Sequence, residues 1–196
     1  MDKLFQKKYG RILESIEDIA ECSQGELILV GGTALALFYL KHRVSVDLDF
    51  VPLKKQKDET IKEKLKGALS KKGYKTQRTA YTNQFVIQFE DCCVKVEIFT
   101  PEKSIKENAE FQIGQQKIRV ASIKDLLDMK LETYAGRLEA RDLFDIIFIL
   151  KKMRQDKKTA IDLIKKYGKP KNIGELRRMV TELDYIYFEE VLNCVA

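Results

Sequence analysis

The sequence predicts an α+β fold: a small mixed or antiparallel sheet with flanking helices over residues 1–121, then a helical lobe over residues 122–196. Three observations carry this. The chain opens on helical spacing, its middle holds short strand-like runs punctuated by glycine, and from Ser122 onward only helical spacing remains. An order of helix, mixed segments and then helices alone separates α+β from a regularly alternating architecture.

Each element follows from its pattern. Leu4, Ile12, Leu13, Ile16 and Ile19 recur at three- and four-residue intervals, giving a first helix from about Asp2 to Cys22 one buried face. Gln24-Gly25 breaks it. Glu26 to Val30 is a short apolar strand, Gly31-Gly32 a turn, and Thr33 the N-cap of a short helix reaching Leu40. Arg43 to Val51 alternates strictly and reads as the clearest strand, ended by Pro52. Ile61, Leu65 and Leu69 mark a helix from Glu59 to Lys72, stopped by Gly73. Strands Gln84 to Glu90 and Cys93 to Phe99 flank a hairpin turn, and another strand lies near Gln116 to Val120. Helices follow at Ser122–Tyr134, Glu139–Arg154, Thr159–Tyr167 and Gly174 to about Asn193, with Ser122 and Asp125 forming an N-cap and acidic N3 pair. Phe38, Tyr39, Tyr134, Phe144 and Phe148 sit at helical spacing in apolar runs and read as core.

Composition narrows the function classes. With 196 residues, 44% hydrophobic and only 3 prolines, the chain can bury a core and is not a low-complexity sequence. No run approaches the roughly 18 apolar residues of a membrane span, and the N-terminus lacks a secretory apolar stretch, so no membrane association is expected. Cys22, Cys92, Cys93 and Cys194 lack paired metal-ligand spacing, and free thiols suit a cytoplasmic setting. Charge is uneven: Lys54–Arg78 carries ten basic and three acidic residues, and Lys151–Arg178 eleven and three. Such segments suit a nucleic-acid partner, although solvated lysine-rich helix faces have the same composition.

The chemistry concentrates in Arg43-Val44-Ser45-Val46-Asp47-Leu48-Asp49-Phe50. On a strand the valines, Leu48 and Phe50 share one face, while Asp47 and Asp49 share the other at about 7 Å spacing. Val94 to Phe99 alternates as well, and if it lies beside the first strand Glu97 joins the two aspartates. Three carboxylates can hold two divalent ions about 3.5–4 Å apart, as phosphoryl transfer requires; acids on a half-exposed sheet are the alternative. Upstream, a strand enters Gly31-Gly32-Thr33, where glycines permit close backbone approach to a phosphate or simply make a tight turn.

The series Gly31-Gly32-Thr33-Ala34-Leu35, His42-Arg43, Ser45, Asp47-Leu48-Asp49-Phe50 and Glu97 resembles the DNA polymerase β-like nucleotidyltransferases, and within them the AbiEii/AbiGii toxin type. Ser122 to Lys130 resembles that family's lysine-bearing helix, and Arg141-Asp142-Leu143-Phe144-Asp145-Ile146 its Arg-Asp-x-x-Asp segment. The likeness spans about residues 26–150. It implies that Asp47, Asp49 and Glu97 bind metal, two Mg²⁺ ions or Mn²⁺ in their place, and that these acids with Lys130 are catalytic. It also implies nucleotide contacts from Gly31, Gly32, Thr33, Arg43, Ser45, Asp142 and Asp145. Apart from the family, Lys130 could be an ordinary solvent-facing lysine, and the aspartates with Arg137 and Arg141 an intrahelical charge network. His42 could touch the nucleotide or be an ordinary turn residue.

The expected function is metal-dependent transfer of NMP from an NTP to a hydroxyl, on a tRNA 3′ end or a protein side chain. The resemblance adds a toxin–antitoxin role with a cognate antitoxin. The rivals are a non-catalytic module binding RNA or protein on the same fold, and a small-molecule, antibiotic-modifying nucleotidyltransferase.

Overall fold

The computed structural model describes residues 3–54, 58–155 and 157–167. These form two compact units. One holds the described residues through Ala34 together with Val44–Ser122, and the other holds Leu35–Arg43 together with the described residues from Ile123 onward.

The first unit contains α1 (Lys3–Ser23), β1 (Leu27–Val30), α2 (Gly31–Ala34), β2 (Leu48–Pro52), α3 (Asp58–Lys71), β3 (Lys75–Arg78), β4 (Gln84–Gln88), β5 (Cys93–Ile98), β6 (Asn108–Ile113) and β7 (Gln116–Ala121). The strands make one mixed sheet in the order β3-β4-β5-β2-β1-β7-β6. β1 is antiparallel to β2 and parallel to β7, while β2 is parallel to β5; hairpins β3–β4 and β6–β7 supply the two edges. Helices α1 and α3 pack on each other and on the sheet. Beneath them lie Leu48, Phe50, Phe85, Ile87, Val94, Val96 and Ile98, all fully buried. Residues of opposite parity face away from the helices, and that alternation presents Asp49 and Glu97.

Several expectations are corrected here. The regular strand begins at Leu48, and Arg43–Asp47 is irregular. Strict alternation would bury Val44, yet it is 37% exposed. The Asp47 carbonyl accepts a hydrogen bond from the Thr33 hydroxyl, an attachment outside the sheet ladder. Thr33 itself is the third residue of α2, inside the helix rather than at its N-cap. In α1, Ile12, Ile16 and Ile19 are buried as expected, whereas Leu13 is exposed and the Leu4 side chain lies outside the described residues.

Two strands escape the sequence pattern. β3 reads Lys-Thr-Gln-Arg and pairs with β4 from an edge, where little apolar burial is needed. β6 is mostly exposed and follows from its pairing with β7 across Gly114-Gln115. Gly114 has φ +53°, and a Cβ there would collide with the Glu17 carboxylate. That carboxylate accepts the Gln115 amide hydrogen bond at 2.7 Å, joining the hairpin to α1.

The second unit contains a π-helical stretch Leu35–Leu40, α4 (Ile123–Arg137), α5 (Ala140–Lys152) and α6 (Lys157–Tyr167). The π-helical stretch packs on α4 and α5, and α6 contacts both. α5 buries Leu143, Phe144, Ile146, Ile147, Ile149 and Leu150 along with two aspartates. Phe144 stacks on the His42 ring with centroids 5.6 Å apart, and Phe148 lies 5.2 Å away. The expected helix Gly174–Asn193, Cys194 and the end of the basic Lys151–Arg178 segment lie outside the described residues. Among the described residues no helix is long and apolar enough to cross a membrane.

Candidate active site

In the first unit, β1 passes directly into α2 at Gly31, with φ +73°. A Cβ at this position would collide with Asp49 Oδ2. Only glycine both takes that φ without strain and leaves room for the carboxylate against the backbone. Gly32 and Thr33 follow, both buried. The Thr33 hydroxyl donates to the Asp47 carbonyl and so ties the glycine turn to the chain that enters β2. Ser45 lies half-buried in that irregular approach.

Asp49 and Glu97 are register partners on the parallel strands β2 and β5. Adjacent strands lie about 4.8 Å apart, so the two acids are side by side on the face opposite α1 and α3. Glu97 is oriented at both oxygens: Asn83 Nδ2 donates to Oε1 at 2.8 Å and Gln84 Nε2 to Oε2 at 2.9 Å. Asp47 instead pairs through Oδ2 with Lys95 Nζ at 3.1 Å. Among the described residues no three acidic, histidine or cysteine side chains already converge closely enough to hold a metal ion. The donor chemistry nevertheless fits one. All three candidate ligands are hard oxygen donors, two are immediate neighbours, and the missing Cβ of Gly31 cradles the Asp49 carboxylate. Lys95 supplies positive charge at Asp47, where a cation is expected.

The second unit gathers the remaining candidates into a buried charge network. Arg43 grips Asp145 with both arms of its guanidinium, Nε to Oδ1 at 2.6 Å and Nη2 to Oδ2 at 2.7 Å. His42 Nε2 lies 2.7 Å from the same Oδ1, and Lys130 Nζ lies 2.8 Å from Oδ2. Lys130 also donates to Asp142 at 3.0 Å, which in turn receives two hydrogen bonds from Arg137. Both aspartate side chains are wholly buried. Burial alone would raise their carboxyls, but the hydrogen bonds from Arg43 and Arg137 and the nearby charge of Lys130 hold both below the ordinary aspartate range. A carboxylate only accepts, so His42 Nε2 carries the proton toward Asp145; its buried Nδ1 has no partner among the described residues.

The sequence-derived candidates thus fall into two internally organised groups. Gly31, Thr33, Asp47, Asp49 and Glu97 come together around β1, β2 and β5, while Arg43, Lys130, Asp142 and Asp145 come together in the helical unit. The latter network joins two helices and the segment at residues 42–43, so it is not an intrahelical arrangement; Arg141 is exposed. Sequence reasoning passed over Lys95, Asn83 and Gln84. Lys95 was accessible from parity, two residues before Glu97, whereas the amides required the β4–β5 register. It also undervalued His42, which is a buried partner of Asp145.

Comparison with known proteins agrees with this architecture. The model of a family described as "Nucleotidyl transferase AbiEii toxin, Type IV TA system" matches residues 22–192. The protein aq_aa25 of Aquifex aeolicus (strain VF5) is 28% identical over 187 residues, covering 94% of this chain and 84% of its own. Among solved structures, JHP933 from Helicobacter pylori superposes with a TM-score of 0.56 at 19% identity, covering all of this chain and 91% of that one. An antigenic nucleotidyltransferase-like protein from Paracoccidioides brasiliensis gives a TM-score of 0.54 at 17% identity over 72% of this chain and 76% of its own.

Proposed function

Because the chain belongs to the AbiEii family of nucleotidyl transferase toxins, and is a nucleotidyltransferase, we propose that it moves NMP from an NTP onto a hydroxyl using the acidic face of its sheet. The observation that supports this most directly is the lateral pairing of Asp49 with Glu97, beside a glycine that only an unsubstituted Cα permits. Nucleotidyltransferases of this kind use divalent metals, and here Asp47, Asp49 and Glu97 would hold Mg²⁺ or Mn²⁺. When bound, such ions neutralise charge on the phosphates and on the oxygens that attack and leave.

The chain's own groups account for the rest. Gly31, Gly32 and Thr33 bring backbone close to the phosphates, and Ser45 adds a hydroxyl on the approach to β2. Asn83 and Gln84 fix the Glu97 carboxylate so that its oxygens are oriented before substrate arrives. The acceptor hydroxyl forms a bond to the α-phosphorus, the bond to the β,γ-diphosphate breaks, and the hydroxyl proton passes to a carboxylate of this set. Pyrophosphate is the leaving group. Arg43, Lys130, Asp142 and Asp145 enter as an internally paired set that orders the helical unit. A cognate antitoxin is the partner that the type IV system implies.

Incubation with each labelled NTP, Mg²⁺ and a cell lysate tests the proposal. Label should pass to RNA or protein with the wild type, and transfer should fall by more than about a hundredfold in Asp47→Ala and Asp49→Asn. Unchanged transfer in folded Asp49→Asn protein would overturn the assignment.

A further inference from the structure

Lys95 takes no part in the transfer steps built on the three acids, yet it stands at the fourth corner of their patch. The parallel strands β2 and β5 set Asp49 beside Glu97 and Leu48 beside Val96. One further step back along the chain reaches Asp47 and Lys95, which meet through Oδ2 and Nζ at 3.1 Å. Lys95 shares the parity of Glu97 and lies two residues before it, about 7 Å along the strand.

This ammonium is held in an exchangeable way. The Lys95 side chain is 37% exposed and that of Asp47 40%, and so open a pair contributes little to stability. Glu97, the neighbouring acid on its own strand, already accepts from the side-chain amides of Asn83 and Gln84. Asp47 in turn does not depend on the lysine for its place, because its carbonyl is tied to the Thr33 hydroxyl. The same tie sets the Gly31–Thr33 turn next to this corner, so phosphates lying along the turn would come close to Lys95. Lys130, by contrast, has its charge matched by two buried aspartates in the helical unit.

We propose that Lys95 is a nucleotide-binding residue that changes partners: its ammonium holds the cation position at Asp47, gives that carboxylate up to a divalent ion, and then turns to the phosphates of the NTP. The proposal rests on the nucleotidyl-transfer reading and adds a residue that couples metal binding to nucleotide binding. A doubly charged ion competes better than an ammonium for hard carboxylate oxygens, and two cations at one carboxylate repel each other. Released on its flexible four-carbon stem, the ammonium is a compact charge of the kind that pairs with phosphate.

The test titrates the two ligands in turn on the full chain. Mn²⁺ is titrated first, without nucleotide, and followed by electron paramagnetic resonance. A fluorescent NTP analogue with a methylene bridge between the α- and β-phosphorus, which cannot transfer, is then titrated at saturating Mn²⁺. Lys95→Met should tighten Mn²⁺ binding severalfold and weaken the analogue about tenfold, two shifts of opposite sign. Lys95→Arg, which keeps the charge, should retain the analogue. Equal analogue affinity in wild type and Lys95→Met overturns the exchange. So does weaker Mn²⁺ binding in folded Lys95→Met protein, which would make the lysine a clamp on Asp47. Either result, with wild-type label transfer intact, leaves the transfer reading standing. Opposite shifts in a chain that labels nothing support the exchange and overturn the transfer reading alone.

Discussion

Gly31 shows how one missing methyl can organise chemistry. Its φ of +73° costs a substituted residue about 1–2 kcal/mol, before any steric conflict is counted. The added Cβ of Gly31→Ala would also displace the Asp49 carboxylate, whose Oδ2 occupies that space. This variant should lose at least that much stability by urea titration, and transfer should fall together with it. Lys95 provides a second, opposite perturbation. Its ammonium sits 3.1 Å from Asp47, a half-exposed pairing worth little to stability. Lys95→Met should leave the urea midpoint nearly unchanged while tightening Mn²⁺ binding severalfold in a titration, because one positive competitor has been removed.

Much of this arrangement is legible in the amino-acid pattern itself. Parity along Leu48–Phe50 and Val94–Ile98 identifies Asp49 and Glu97 as outward-facing acids, since burial of the alternate residues leaves them no other face. Parity failed for Val44, in the irregular approach to β2 where long-range attachments replace the ladder. The Thr33 hydroxyl takes the Asp47 carbonyl, and Arg43 turns to Asp145, more than a hundred residues away. No local pattern encodes such partners.

Among the helices, α5 carries the sharpest energetic consequence. It places two carboxylates in its buried surface, each surrounded by cations from α4 or from residues 42–43. Asp145→Ala would strand Arg43 and Lys130 without their shared acceptor, a loss of about 3–5 kcal/mol. Chemical denaturation should show it. The sequence did indicate that Asp142 and Asp145 share a helix face, from their spacing of three. It did not indicate that this face is buried, because the charges satisfying them come from other segments. The strands β3 and β6 were hidden for a related reason: edge pairing, rather than apolar periodicity, makes them strands.

For the chain as a whole, these groups set the response to pH. Asp142 and Asp145 have carboxyls lowered in the folded state, so the unfolded chain binds more protons once pH drops toward its aspartate value of about 3.9. Their contribution is complete above about pH 5 and is lost as acidity increases through the folded values. On the alkaline side, burial pushes Tyr134 up to about 12, so its contribution is complete below about pH 10 and disappears between about 10 and 12. Urea midpoints measured across pH should therefore form a plateau that falls at both ends. A midpoint constant down to pH 3 would contradict the buried network.

The division of the chain has a practical outcome for anyone dissecting the protein. Leu35–Arg43 is threaded out of the sheet-bearing unit and into the helical one, and the chain returns at Val44. Cutting once, after the last strand, would therefore not release a self-sufficient piece. The N-terminal fragment would retain Leu35 and Ala36, both normally buried, together with His42 and Arg43, all deprived of the helices that receive them. Such a fragment should express poorly or aggregate, and only co-production with the complementary half would let the excursion find its receptor.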